Sequence, residues 1–240
     1  MTHTDQDLSG GVPPPSVLGQ FRRPILIAHR FANDLAHLRQ AVEAGADLIE
    51  ADVWLHRGNL EVRHSKTLGP VPLRWDRWYV ERSSRPVLQF TTLLDALDAD
   101  VELLIDLKGR SPDLATALVT TLRQRRPGHP IILSSQNWEL LEHFRRYDGT
   151  QLVHSIGYPW QLRAAWKRLR PETHDAVSIQ YRLLNADVVA ALKQRVETVI
   201  TWPINDAARF EHVRAWGVDG ITSDSPELLR YAAQCRRPDG

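Results

Sequence analysis

Eight short runs of aliphatic and β-branched residues recur along this chain, each followed by a longer segment whose apolar residues return with helical period. That alternation restricts the fold more than any other feature. The runs are PILIAH (24–29), DLIEADVW (47–54), VELLIDLK (101–108), IILSS (131–135), QLVHS (151–155), AVSIQ (176–180), ETVITW (197–202) and GITSD (220–224). Helices are expected near 34–44, 91–99, 112–125, 137–146, 159–169, 186–195, 206–215 and 225–235. Several open on a capping residue or proline: Asn33, Thr91, Ser111-Pro112, Asn185 and Ser225-Pro226. Strand–helix units of this kind make parallel sheets, and eight of them are the count of a (β/α)8 TIM barrel. A chain of 240 residues fits one such domain.

Two segments stand outside the repeat. Residues 1–20 are polar and then rich in Gly and Pro, and read as a disordered tail ahead of a barrel domain spanning 21–240. Residues 55–90 interrupt the pattern after the second strand, with a hairpin expected in WLHRGNLEVRH around Gly58-Asn59, then an irregular Trp- and Pro-rich loop.

Thirty basic side chains balance 29 acidic ones without a long single-sign run, so there is no electrostatic footprint for nucleic acid. Cys235 is the only cysteine, which excludes an intrachain disulfide and a thiolate zinc site and suits a reducing compartment. The start of the chain lacks a cationic stretch and an apolar core, as a secretory signal requires, and no apolar run nears the roughly 18 residues of a membrane span. A cytoplasmic protein is expected, with transient contact with a membrane surface left open.

The second strand holds the puzzle. In LIEADVWL, Leu48, Glu50, Asp52 and Trp54 share one face, and Ile49, Ala51, Val53 and Leu55 share the other. The second face is core, whereas the first puts two carboxylates inside an apolar strand, where an unpaired charge is costly. In a barrel, sites form at the C-terminal strand ends, and the polar rim here includes His29-Arg30, Glu50, Asp52, Asp106, Lys108, Trp202 and Asp224.

Asp106 and Lys108 repeat the i, i+2 spacing on the third strand, so three carboxylates would converge at the mouth. Hard divalent cations such as Mg²⁺ or Ca²⁺ take oxygen ligands and leave positions for phosphate oxygens. Arg30 and Lys108 would add fixed positive charge for an anionic substrate, and Trp202 would flank it. His29 and His64 are the natural pair for proton transfer. The structural alternatives are an ion pair of Glu50 and Asp52 with a neighbouring base and an internal Asp106–Lys108 salt bridge. His56, His143 and His154 read as structural, and Trp75, Trp78 and Tyr79 as loop residues packed onto the barrel.

These residues resemble the glycerophosphodiester phosphodiesterase superfamily, whose members are metal-dependent (β/α)8 barrels. The resemblance runs from Ile25 to about Leu229. It is carried by His29-Arg30, GADLIEADV (45–53), His64, DLK (106–108), the strand-seven Trp202 followed by PIN, and GVDGITSDSPELL (217–229). It implies hydrolysis of glycerophosphodiesters to an alcohol and glycerol-3-phosphate, with His29 and His64 as acid and base, Glu50, Asp52 and Asp106 holding one divalent cation, and Lys108 on the phosphate.

The chain also departs from that family. Phe31 follows the His-Arg pair where a Gly is usual, Asn33 falls on the family's Asn, and Ala32 falls on a metal-binding Glu, so that ligand is missing. Ser65 follows His64 where Asp is common. Three acids and a short first loop are similar to the sphingomyelinase D/phospholipase D branch. That branch acts on lysophospholipids and sphingolipids and often leaves a cyclic phosphate. Its secreted, disulfide-bonded members differ from this chain. A barrel that binds phosphorylated ligands without turnover is the second alternative.

Overall fold

In the computed structural model, which describes residues 16–68, 71–76, 80–82 and 84–236, every expected strand forms and pairs in parallel with its neighbour. The barrel strands are β1 (Ile25–Ala28), β2 (Leu48–His56), β3 (Glu102–Leu107), β4 (Ile131–Ser135), β5 (Thr150–Ile156), β6 (Ala176–Gln180), β7 (Thr198–Trp202) and β8 (Gly220–Ser223). Pairing of β8 with β1, and of β1 with β2, closes the ring. Helices α1 (Leu35–Glu43), α2 (Phe90–Ala96), α3 (Asp113–Arg125), α4 (Trp138–Glu142), α5 (Pro159–Arg168), α6 (Ala186–Lys193), α7 (Ala207–Ala215) and α8 (Pro226–Gln234) follow their strands in turn. The result is a single (β/α)8 TIM barrel.

Alternation along the strands divides the molecule into two apolar regions. Ile49, Ala51 and Val53 of β2 face outward with Ile105 and Leu133 and pack under the helices. Ile25, Ile27, Leu48, Leu104, Ile132 and Val153 face inward and fill the lower half of the barrel. Nearer the C-terminal ends the inward positions turn polar, with Ser134, Ser155, Ser178 and Thr222 lining a cavity.

The N-terminal boundary differs from expectation. Val17–Gln20 form a 3-10 turn, and Leu18 is fully buried against the inward residues at the bottom of the barrel. Ser16 donates to Gln151 Oε1 at 2.8 Å. A Pro- and Gly-rich stretch hides this anchor, because one buried leucine leaves no periodic pattern. Residues 1–15 lie outside the described residues.

The insertion after β2 is more regular than its composition suggests. The hairpin turns at Arg57-Gly58, one residue before the expected position, with φ of 50° and 82°. Two positive φ values suit the twist of a two-residue hairpin, and His56 then pairs with Asn59. Lys66–Thr67, Leu73–Trp75 and Val80–Arg82 make a separate three-stranded antiparallel sheet where an irregular loop was expected. Trp78 and Tyr79 lie outside the described residues.

Asn185 and Ser225 cap α6 and α8 by accepting from Val188 N and Leu228 N. Asp34, not Asn33, caps α1, because the Asn33 amide is engaged with β2. Gln89 and Pro112 occupy the caps of α2 and α3 without a side-chain bond. No helix among the described residues is long and apolar enough to cross a membrane.

The burial of Leu18 yields a stability test. Leu18→Ala is expected to lower unfolding free energy by about 2–4 kcal/mol, as for other buried leucines, measured by urea denaturation. A residue in a loose tail would leave the denaturation midpoint unchanged.

Candidate active site

The register of β2 against β3 sets the site. Glu50 lies opposite Leu104 and Asp52 opposite Asp106, and both strands turn these residues inward. Each carboxylate places an oxygen within 4.8 Å of the other two. Glu50 and Asp52 are buried and Asp106 is half-buried.

Lys108 accounts for part of the negative charge. Its Nζ lies 2.8 Å from Asp52 Oδ1 and in close contact with Asp106 Oδ2. Burial works to lower the Lys108 pKa, but the two aspartates outweigh it and hold the pKa above its ordinary value. Asp106 also accepts from Ser134 Oγ at 3.1 Å. Asp52 takes 2.6 Å from Asn33 Nδ2, while its own N–H donates to Asn33 Oδ1 at 2.9 Å. Burial pushes the Asp52 carboxyl up, yet Lys108, with Arg30 beside it, holds it below the usual range.

Glu50 is the member left over. Its Oε2 is buried with no hydrogen-bond donor, and the nearest ion-pair partner is His29 Nε2 at 3.7 Å. Burial, reinforced by Asp52 and Asp106 and opposed by His29 and Lys108, pushes its pKa up to about 7. The expected salt-bridge alternative therefore holds for Asp52, Asp106 and Lys108 and fails for Glu50. Three converging oxygen donors, one of them an orphaned buried oxygen, fit a hard divalent cation.

The two histidines flank this cluster and are held alike. His29, just beyond β1, bonds Asp224 Oδ1 through Nδ1 at 2.6 Å and turns Nε2 toward Glu50. Burial alone would lower its pKa, but Glu50 and Asp224 raise it. Asp224 is in turn bonded by Asn205 Nδ2 at 3.1 Å. His64, at the end of the hairpin, bonds Asp76 Oδ2 through Nδ1 at 2.8 Å. Its Nε2 lies 2.6 Å from an Arg30 guanidinium nitrogen, which can only donate. Arg30 occupies a left-handed conformation, φ 62°, and its Nε sits 3.7 Å from Asp52. Backbone in that region costs a non-glycine residue of order 1 kcal/mol or more and often accompanies a functional position.

A cavity of about 120 Å³ brings together His29, Arg30, Glu50, His64, Asp106, Lys108 and Trp202. It opens into a larger cleft of about 710 Å³ bordered by Trp75, Tyr158 and Gln180. The residues expected from the sequence thus converge, with Asp52 buried beneath them. His154 does not: it faces outward, 3.1 Å from Asp175 and edge-on to Trp138. His56 and His143 do not line the cavity. Trp75 is 43% exposed and borders the cleft rather than packing onto the barrel. Position 32 carries a buried alanine in the 3-10 turn Phe31–Asn33, so no carboxylate comes from that position.

Sequence reasoning assigned no role to Asn33 beyond a helix cap, and none to Asp76 or to the pairing of Asp224 with His29. Asp224 stands at a strand end and was visible on the rim. Asp76 lies in the insertion, where no periodicity signals its place.

Comparison with known proteins adds the following. A family model described as the glycerophosphoryl diester phosphodiesterase family matches residues 78–228. That span holds Asp106, Lys108, Trp202 and Asp224 and begins beyond His29, Glu50, Asp52 and His64. An Oleispira antarctica phosphodiesterase solved with its product sn-glycerol-3-phosphate has a TM-score of 0.70 at 20% identity, over 88% of this chain and 97% of that one. A Thermotoga maritima glycerophosphodiester phosphodiesterase gives 0.66 at 19%, over 88% and 99%. A Parabacteroides distasonis glycerophosphodiester phosphodiesterase gives 0.63 at 20%, over 89% and 98%. At such identities the likeness is one of fold. No curated protein sequence matches the chain.

The His64 contacts predict a tautomer. Asp76 accepts from Nδ1–H and Arg30 donates to Nε2, so long-range ¹H–¹⁵N spectra should show a bare Nε2 in His64. Asp76→Asn should mix the tautomers. A protonated Nε2 in the wild type would contradict this arrangement.

Proposed function

Because this chain belongs to the glycerophosphoryl diester phosphodiesterase family, we propose that it hydrolyses glycerophosphodiesters to an alcohol and glycerol-3-phosphate, with one divalent cation, Mg²⁺ or Ca²⁺, held by Glu50, Asp52 and Asp106. The observation that carries this reading is the orphaned Glu50 Oε2 among three converging carboxylates, between two histidines each backed by an aspartate. A cation bound there would neutralise charge on the phosphoryl oxygens and supply Lewis acidity at phosphorus.

The chain's own residues do the rest. Lys108 and Arg30 provide fixed positive charge beside the carboxylates, where charge builds up on the phosphoryl group in the transition state. Lys108 also ties Asp52 to Asp106, which keeps the two carboxylates side by side despite their like charge. Asn33 clamps Asp52 through both its backbone and its side chain and so fixes the least exposed ligand.

His29 and His64 both direct Nε2 at the cavity, since Asp224 and Asp76 hold their Nδ1 atoms. One takes the proton of the attacking hydroxyl at Nε2 while the other delivers a proton to the departing alcohol oxygen. Arg30 must release His64 for either role, which a bound phosphate would favour by drawing the guanidinium away. Trp202 walls the cavity on the β7 side and limits water around the ester.

The nucleophile is water or a hydroxyl of the substrate adjacent to phosphorus. The second course gives a cyclic phosphate, as in the sphingomyelinase D/phospholipase D branch. Phosphorus NMR with glycerophosphocholine and with lysophosphatidylcholine distinguishes open from cyclic products. Chelation with EDTA is expected to abolish turnover and added Mg²⁺ or Ca²⁺ to restore it. His29→Ala and His64→Ala should each lower kcat by about 10²–10⁴-fold. Undiminished turnover in chelator or by His29→Ala would refute the mechanism, and binding without any product would favour a non-catalytic barrel.

A further inference from the structure

The small sheet inserted after β2 is built inside out. Its strands pair Lys66 with Trp75 and Trp75 with Val80 in one row, and Thr67 with Arg74 and Arg74 with Glu81 in the next. Directly paired residues of antiparallel strands share a face, and successive residues alternate. The charged row faces the protein: Arg74 is buried and its Nε lies 3.1 Å from Glu81. The row with Trp75 and Val80 faces solvent, with Val80 57% exposed. A sheet covering a barrel normally turns its apolar row inward.

The exposed apolar residues are also placed unevenly. Of the large apolar side chains exposed among the described residues, Leu68, Val71, Trp75 and Val80 belong to this insertion, and Tyr158 and Trp160 stand at the start of α5. Leu35, Val42 and Tyr231 are the remainder, on α1 and α8. Tyr158 and Trp75 border the same cleft above the carboxylates, and Trp160 shares an adjoining groove with Lys66 and Arg110. The Tyr158 and Trp160 rings lie parallel, 6.2 Å apart. Exposed aromatic residues therefore border the mouth of the site, Val80 extends them along the outer row of the small sheet with exposed Arg82 on the same face, and exposed Lys66 and Arg110 stand in the adjoining groove, where Glu139 is the acidic side chain.

We propose that this rim docks the barrel mouth-down on a lipid surface bearing anionic headgroups, so that the site takes its phosphodiester from that surface. Tryptophan and tyrosine favour the boundary between headgroups and acyl chains, and interspersed basic residues are drawn to anionic lipid. The charge pattern favours such a surface over a second copy of this chain, whose rim would present the same cations. The inference deepens the phosphodiesterase reading by naming how the substrate is presented. Its binding test needs no turnover, so the two can fail separately.

Co-sedimentation with vesicles of phosphatidylglycerol mixed into phosphatidylcholine is the test. The wild type should pellet with them, and less with phosphatidylcholine alone. Val80→Ser combined with Trp160→Ser should weaken the association by about tenfold or more, the scale of two lost apolar insertions. The same variant should retain wild-type turnover of soluble glycerophosphocholine and an unchanged circular dichroism spectrum. Absence of wild-type binding, or binding indifferent to both substitutions, would overturn the proposal. So would light scattering that shows a dimer abolished by this variant.

Discussion

The alignment of two parallel strands governs the rest of the site. Because Asp52 sits beside Asp106 and Glu50 one inward position below, three carboxylates share a space that one lysine cannot neutralise. A slip of one residue between β2 and β3 would turn one set of acids into the helix layer. The register is held from both sides: Ile49, Ala51 and Val53 are buried beneath the helices, and Leu48 packs inside the barrel. The energy that fixes the acids is thus supplied by their apolar neighbours in sequence. Burial raises both carboxyls, but the Lys108 ammonium outweighs it at Asp52 and not at Glu50, so chemically similar groups in one pocket differ in charge affinity.

Around that cluster the polar contacts form a chain of support. Asn205 bonds Asp224, which holds His29; Asp76 holds His64, which meets Arg30; Asn33 braces Asp52. The supporting residues come from the loops after β1, β2, β7 and β8, so the site depends on the closed ring and not on a local motif. Such outer contacts fix the ring orientation of a histidine more firmly than its own rotamer preferences do.

Much of this was legible in the residues. Strand period and helix period were clear because each barrel strand buries both faces and each helix buries one, which imposes distinct apolar spacings on PILIAH and on segments such as 186–195. The acids of LIEADVWL stood out because charge is costly in a buried strand. Asp76 and the sheet of residues 66–82 escaped notice, since short strands with a charged inner row and an apolar outer row invert the usual pattern. Leu18 escaped for a different reason: a single anchoring side chain has no period. The role of Asn33 was misassigned because a capping residue and a ligand brace use the same amide chemistry, and only tertiary placement separates them.

The buried Leu18 has a consequence for traffic through the molecule. With Leu18 seated among Ile25, Leu48 and Ile132, the barrel interior is a blind well, apolar at its base and open at one end. Whatever enters must leave by the same mouth, past Trp202 and Arg30. A substrate and the products of its cleavage would share that one opening.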